Sequence, residues 1–375
     1  MDQSEIHRGL EGIAVAETRL SHIDGESGDL TVGGYPIDEL ATDASYEECV
    51  YLLFNDRLPD ADELASFRAD LATRREIGEE VHAVLERAAA EAKPAMDALR
   101  MGAAAANLGS EDEDPETEAR RVIAAFPTIV AAYWRYRQGE TPVEPREDLR
   151  HAANYLYMLT GEEPDPADVR GLETYLNAVV DHGFNASTFT ARTVVSTESD
   201  VVSAVTAAIG ALKGPLHGGA PGPVLDMLDE IRDAGDPAAT IREKLEAGER
   251  LMGFGHRVYD VRDPRAAVLS GAAEGVYDAD DPFLDLATEV EDIAVDLLAE
   301  YKPGRNLETN VEFYTAVLLR GVGIPRELFS TTFAVGRVAG WGAHCLEQLD
   351  DNRLVRPRAR YVGATDREWT PLDDR

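Results

Sequence analysis

Residues 281–301 read Asp-Pro-Phe-Leu-Asp-Leu-Ala-Thr-Glu-Val-Glu-Asp-Ile-Ala-Val-Asp-Leu-Leu-Ala-Glu-Tyr. Asp281-Pro282 is a helix opening. Phe283, Leu286, Val290, Ile293, Leu297 and Tyr301 then recur at spacings of three and four with acids between them. That period defines one apolar helical face. Working outward, most of the chain carries the same signal. Ser45-Tyr46-Glu47-Glu48 has the form of a capping box ahead of an apolar run. His151 to Thr160 reads as a short helix stopped by Gly161, and Asp165-Pro166 opens another that runs toward His182. Val201, Val202, Val205, Ala208, Ile209 and Leu212 mark one face of a helix that ends at Gly214-Pro215. A last long helix is expected from about Arg326 to Leu349. Strand signals are confined to Gly12–Leu20 and Leu30–Gly34, which flank the turn-rich stretch 24–29. Ser110–Glu118 reads as a solvated acidic loop and Gln138–Glu147 as a second connection. The expected fold class is mainly α with a short N-terminal β-hairpin-like segment.

Composition narrows the function classes. Against 71 Asp and Glu stand 36 Lys and Arg, of which only 4 are lysines, for a net charge of −35. Such an excess is far beyond what solubility needs. It suits molar salt, where repulsion is screened over about 3 Å at ~1 M. Nucleic acid is an unsuitable partner for so acidic a surface. No apolar run reaches the roughly 18 residues of a membrane span, and the acidic start Met-Asp-Gln-Ser-Glu does not resemble a signal peptide. A cytoplasmic location is expected. Cys49 and Cys345 sit in apolar-periodic stretches and read as small buried hydrophobes.

Chemistry concentrates at three of the eight histidines. His182 lies in Asp-His-Gly-Phe-Asn, His217 in Gly-Pro-Leu-His-Gly-Gly and His256 in Gly-Phe-Gly-His-Arg. Glycine permits close backbone approach to a ligand, and loops at helix ends commonly carry functional groups. His7, His22, His82, His151 and His344 lack such surroundings and read as surface or core histidines. The spacings match no metal-ligand pattern, so no metal is expected. Gly253-Phe254-Gly255 is not followed by the Gly-Lys-Ser/Thr of a nucleotide loop. Arginines supply the complementary signal: Arg265 in Asp-Pro-Arg, Arg337 among apolar neighbours, and Arg356, Arg358 and Arg360 near the C-terminus. Guanidinium forks bind carboxylates and phosphates in bidentate fashion, which points to an anionic substrate.

Five motifs together resemble the citrate synthase family. They are Asp-His-Gly-Phe-Asn-Ala-Ser-Thr-Phe (181–189), Gly-Pro-Leu-His-Gly-Gly (214–219), Gly-Phe-Gly-His-Arg-Val-Tyr with Asp-Pro-Arg (253–265), Asn-Val-Glu-Phe-Tyr (310–314) and Arg-Pro-Arg-Ala-Arg-Tyr (356–361). Gly-Leu-Glu-Gly-Ile-Ala-Val-Ala-Glu-Thr (9–18) and Gly-Gly-Tyr-Pro-Ile-Asp-Glu-Leu (33–40) add to a resemblance that covers nearly the whole chain and is closest to the archaeal and short bacterial form. The resemblance implies a large helical domain, residues 1–213 plus 321–375, and a small domain, 214–320, that closes over the site. It implies a homodimer with shared sites, to which Arg356 is the residue donated by the partner. His182, His256, Arg265 and Arg337 match the groups that hold oxaloacetate, His217 the group at the acetyl-CoA thioester, and Arg305, more loosely with Arg358 and Arg360, a contact to coenzyme A. Acyl-CoA is then a substrate, and no cofactor is implied.

Three positions depart from the family pattern. The family's base is an aspartate in Asn-Val-Asp, whereas this chain has Glu312. The extra methylene adds ~1.3 Å of reach, and a misplacement of about 1 Å can lower a rate on the order of 10²-fold. Ala220-Pro221-Gly222 stands where Ala-Asn is usual, and Thr309 replaces a proline. Three readings follow: a citrate synthase with a glutamate base, a 2-methylcitrate synthase using propionyl-CoA, or a catalytically weak relative that binds oxaloacetate or CoA.

Overall fold

The computed structural model describes residues 6–10, 12–106, 108, 114–218, 222–256, 259, 261–278 and 281–375. A small antiparallel sheet comes first, with β1 (Ser21–Asp24), β2 (Asp29–Val32) and β3 (Tyr35–Pro36) in that order. Sixteen α-helices follow among the described residues: α1 (Ile37–Asp43), α2 (Tyr46–Asn55), α3 (Ala61–Thr73), α4 (Glu79–Ala90), α5 (Ala95–Ala105), α6 (Pro115–Gln138), α7 (His151–Thr160), α8 (Pro166–Ala178), α9 (Ala186–Val195), α10 (Val201–Leu212), α11 (Gly222–Ala234), α12 (Pro237–Glu246), α13 (Pro264–Val276), α14 (Pro282–Tyr301), α15 (Val311–Gly321) and α16 (Phe329–Asp350).

Local sequence explains many of these starts. Helices α6, α8, α12, α13 and α14 each begin at an Asp-Pro pair. The aspartate side chain accepts an amide of the first turn, and proline sits at the first helical position, where its missing N–H is harmless. Ser45 and Glu48 form the expected capping box of α2. Gly161 closes α7 in the left-handed conformation, at φ 81°. The acidic stretch 110–118 is shorter as a loop than its composition suggests, because Asp114-Pro115 starts α6 and makes residues 115–118 its first turn; residues 110–113 lie outside the described residues.

The N-terminal reading needs a correction. Residues 12–20 form no strand, and pairing begins only at Ser21, with Asp24 opposite Asp29. The Asp24 carboxylate accepts the Glu26 and Ser27 amides and so fixes the tight turn that sets this register. The preceding segment finds a different partner, since the Arg19 amide and the Thr18 hydroxyl both donate to the Glu347 carboxylate on α16.

Helix α16 organises the core. It packs against α6, α8, α9 and α10, and Trp341 at its centre is fully buried. Gly336 lets it press onto α8, for a Cβ there would meet Val179 Cγ2 at 2.6 Å and the Leu176 carbonyl at 3.0 Å. This close approach carries Arg337 into contact with the α8 terminus. Elsewhere α13 packs on α15 and α8, while α12 packs on α14 and α11. Both cysteines are buried and unbridged. No helix is long and apolar enough to cross a membrane.

Candidate active site

Three loops meet beside α16. The first follows α8 and carries His182. Its ring lies edge-on to His256, with centroids 5.8 Å apart, and Nε2 is 3.1 Å from the Tyr259 hydroxyl. Burial, reinforced by the charges of Arg265 and Arg337, drives His182 well below the ordinary histidine range. It is therefore a neutral ring.

The second loop, 253–256, presents His256. It is laced to the segment ahead of α15: Gly255 N–H donates to the Glu308 carbonyl (2.7 Å), Asn310 N–H to the Gly253 carbonyl (2.9 Å) and Asn310 Nδ2 to the Gly255 carbonyl (3.0 Å). Glu308 and Asn310 make the two bonds that flank Thr309. A threonine therefore serves where a residue without an amide would serve equally. His256 falls to about 4 through burial and the nearby Arg265, so this ring is neutral as well. The Tyr259 amide donates to its Nδ1 at 3.2 Å, which puts the ring proton on Nε2.

Asn310 also caps α15 by accepting the Glu312 amide at 2.9 Å. The lacing that fixes His256 thus fixes the start of the helix that carries Glu312. Burial raises the Glu312 carboxyl to about 7, with Arg250 and Arg265 opposing the rise. Arg265 itself is buried. Its Nε and Nη2 grip Asp263 at 3.0 and 2.7 Å, and this pairing outweighs burial to hold its pKa above the usual value. The field of Arg265 reaches His182, His256, Glu312 and Arg337 alike.

The third loop carries His217, which is tied to the His182 loop through Ser187. The Ser187 amide donates to His217 Nε2 at 3.2 Å, and Ser187 Oγ lies 2.8 Å from the same nitrogen. Trp341 Nε1 can only donate, and it contacts Ser187 Oγ at 3.2 Å. The serine oxygen thereby accepts from tryptophan, and its own proton goes to Asn185 Oδ1 at 2.7 Å. The Ser187 amide makes His217 Nε2 an acceptor, so a neutral ring carries its proton on Nδ1. Arg337 projects from α16 with Nε donating to the Val179 carbonyl at 2.6 Å and its guanidinium over the Phe333 ring at 4.7 Å. Burial lowers it to about 10 while Asp181 works against the fall.

The arrangement pairs two neutral, amide-oriented imidazole donors with one basic carboxylate and two buried guanidiniums. Comparison with known proteins places the chain in a family. The profile described as citrate synthase, C-terminal domain, matches residues 9–358. The chain belongs to the citrate synthase family. It is 44% identical to the citrate synthase of Haloferax volcanii over 99% of both chains. It is 36% identical to the 2-methylcitrate synthase of Shewanella oneidensis, covering 98% of this chain and 97% of that one. The citrate synthase of Thermoplasma acidophilum, solved as a ternary complex with carboxymethyl coenzyme A and oxaloacetate, superposes with a TM-score of 0.88 at 31% identity. That match covers 99% of this chain and 100% of the other.

Of the citrate synthase residues expected from sequence, His182, His256, Arg265, Arg337 and Glu312 share one volume, and His217 joins them through Ser187. Arg305 is exposed after α14, and Arg356, Arg358 and Arg360 lie on an exposed extended segment beyond α16. Among the described residues none of these four forms an ion pair. Pro221 lies outside the described residues. Sequence reasoning missed Ser187, Trp341, Tyr259 and Asp181. Arg337, Trp341, His344 and Gln348 recur at spacings of four, three and four, and that polar stripe on an apolar helix was the available signal.

Proposed function

We propose that this chain condenses acetyl-CoA with oxaloacetate and hydrolyses the resulting citryl-CoA to citrate and CoA. The observation that carries this reading is the pair of histidines, His217 and His256, each fixed by a backbone amide with its remaining ring nitrogen protonated. In the proposed reaction Glu312 takes a proton from the thioester methyl group. His217 Nδ1–H donates to the thioester oxygen as the enol or enolate forms. The methyl carbon attacks the oxaloacetate ketone, whose oxygen takes its hydrogen bond from His256 Nε2–H. Water then cleaves the thioester and releases CoA as a free thiol. Arg265, Arg337 and His182 bind the keto acid. A carboxyl raised to about 7 is a stronger base than an ordinary glutamate, which favours Glu312 in this role.

The reading includes a homodimer. Arg356, exposed on its extended segment, would complete the partner's site, with Arg358, Arg360 and Arg305 available to the phosphates of CoA. It also includes closure of residues 214–320 over residues 1–213 and 321–375, which would exclude water during condensation. A cytoplasmic location and adaptation to high salt complete it. A second reading, propionyl-CoA as the acyl donor, draws support from the likeness to a 2-methylcitrate synthase.

Thiol release in ~2 M KCl, with oxaloacetate and either acetyl-CoA or propionyl-CoA, tests these readings. Faster turnover with acetyl-CoA is expected. Preference for propionyl-CoA selects the second reading, and no release with either, alongside oxaloacetate binding, would sink both.

A further inference from the structure

His344 lies on α16 seven residues beyond Arg337 and is fully buried. Arg192 Nη1 meets its Nδ1 at 3.1 Å. A guanidinium only donates, so Nδ1 is an acceptor and the ring proton sits on Nε2. That nitrogen faces Asp181 Oδ1 at 3.3 Å. Both atoms are buried, and among the described residues neither makes a hydrogen bond of full geometry, so this 3.3 Å approach is the polar contact each has. The other carboxylate oxygen, Asp181 Oδ2, accepts the Ser21 hydroxyl at 2.5 Å and the Gly183 amide at 3.2 Å.

The chain of contacts continues behind His344. Arg192 Nη1 also bonds Glu347 Oε2 at 2.5 Å, and its Nε bonds Gln348 Oε1 at 3.0 Å. Glu347 is the carboxylate that receives the amide of Arg19. Signs therefore alternate through the interior: Arg337 positive, Asp181 negative, His344 as a dipole, Arg192 positive and Glu347 negative. Burial alone would push Asp181 upward, but His344, Arg337 and Ser21 together hold it below the ordinary range.

We propose that His344, acting through Asp181, is a positioning residue for oxaloacetate. It holds a buried carboxylate whose charge balances Arg337 and whose second oxygen pins the backbone beside His182. Without the Nε2 donor the carboxylate gains by taking up a proton or turning away. Arg337 would then be a buried cation without its counter-charge, and the Gly183 amide would lose an acceptor. This inference rests on the oxaloacetate reading above.

Two near-isosteric variants separate positioning from packing. In His344→Gln the amide nitrogen reaches the place of Nε2 and can still donate to Asp181; in His344→Asn the amide reaches only as far as Nδ1. Asp181→Asn removes the charge while keeping an acceptor. In the full chain in ~2 M KCl, His344→Asn and Asp181→Asn are expected to raise the oxaloacetate KM about tenfold or more. The acetyl-CoA KM and kcat should stay within about threefold, and His344→Gln should lie within about threefold of the parent throughout. Calorimetric titration with oxaloacetate alone reads the same effect without turnover. A parent that binds oxaloacetate but releases no thiol would therefore count against the function and leave this test intact. An oxaloacetate affinity for His344→Asn within about twofold of the parent, or equal losses for the Gln and Asn variants and for both substrates, overturns the proposal.

Discussion

Replacing Glu312 with glutamine should abolish most activity and yet stabilise the protein, in a pH window set by the carboxyl itself. The folded-state pKa of about 7 against an ordinary value of 4.5 means that ionisation in the folded chain costs about 3 kcal/mol more than in water. The sign follows from linkage. The unfolded chain releases this proton near 4.5 and the folded chain near 7, so stability is lost as pH rises between them. Below pH 4.5 both states keep the proton, and the neutral acid and glutamine are equivalent. Above pH 7 the parent carries the full cost and the variant none. At roughly 2.1 cal/mol/K per residue, the unfolding entropy of 375 residues is about 0.8 kcal/mol/K. Thus 3 kcal/mol corresponds to an upper bound of about 4 °C. Thermal unfolding of parent and variant in ~2 M KCl should show Tm values within about 1 °C at pH 4.5 and the variant higher by up to about 4 °C at pH 8. In the same preparations kcat should fall by about 10²- to 10⁴-fold, the span usual for a general base. Equal Tm differences at the two pH values would refute the claim that burial of an ionised Glu312 is what the fold tolerates for the sake of a strong base.

Shortening the same residue in Glu312→Asp tests reach rather than charge; if α15 is set for glutamate, kcat should drop on the order of 10²-fold in thiol-release assays, and a gain would show that the native base is displaced. Trp341→Phe keeps the ring and removes the donor to Ser187, so kcat should fall about 2- to 10-fold, with oxaloacetate binding by calorimetry unchanged. Arg337→Lys keeps the charge but loses the planar fork and the bond to the Val179 carbonyl; the oxaloacetate KM should rise roughly 10- to 100-fold in steady-state kinetics. The surface charge of −35 predicts a Tm that falls as KCl is lowered from ~3 M to ~0.1 M, checked by scanning calorimetry, and an unchanged Tm would remove the case for salt adaptation.

Sequence reading succeeded where the physics is local. An Asp-Pro pair satisfies its own helix terminus, so Asp165-Pro166 and Asp281-Pro282 announce α8 and α14 with no help from distant residues. The capping box at Ser45 and the glycine stop at Gly161 are equally self-contained. Residues 12–20 show the limit of such reading. Their composition suits a strand, but the backbone there is drawn to a carboxylate more than 300 positions away, Glu347. The glycine-flanked histidines were visible for the same local reason as the caps. Their protonation was not, because it depends on which amide approaches which nitrogen: Ser187 on His217, thirty residues apart, and Tyr259 on His256.

Trp341 and His344, which sequence alone left unassigned, lie on the same helix face as Arg337. From α16, Arg337 reaches the end of α8, Trp341 fixes Ser187 and through it His217, and His344 meets Asp181 beside His182. Three consecutive positions of a helical stripe thus supply Arg337 itself and meet the loops of two of the three glycine-flanked histidines. A buried helix packed on α6, α8, α9 and α10 has little freedom to move these groups independently. The consequence is mechanistic. The α16 side of the site holds its donors at fixed separation, while the His256 loop and the start of the Glu312 helix are laced together through Asn310. If residues 214–320 close over the rest of the chain as proposed above, the placement of Glu312, one methylene longer than an aspartate, is set by that closure as well as by its own length.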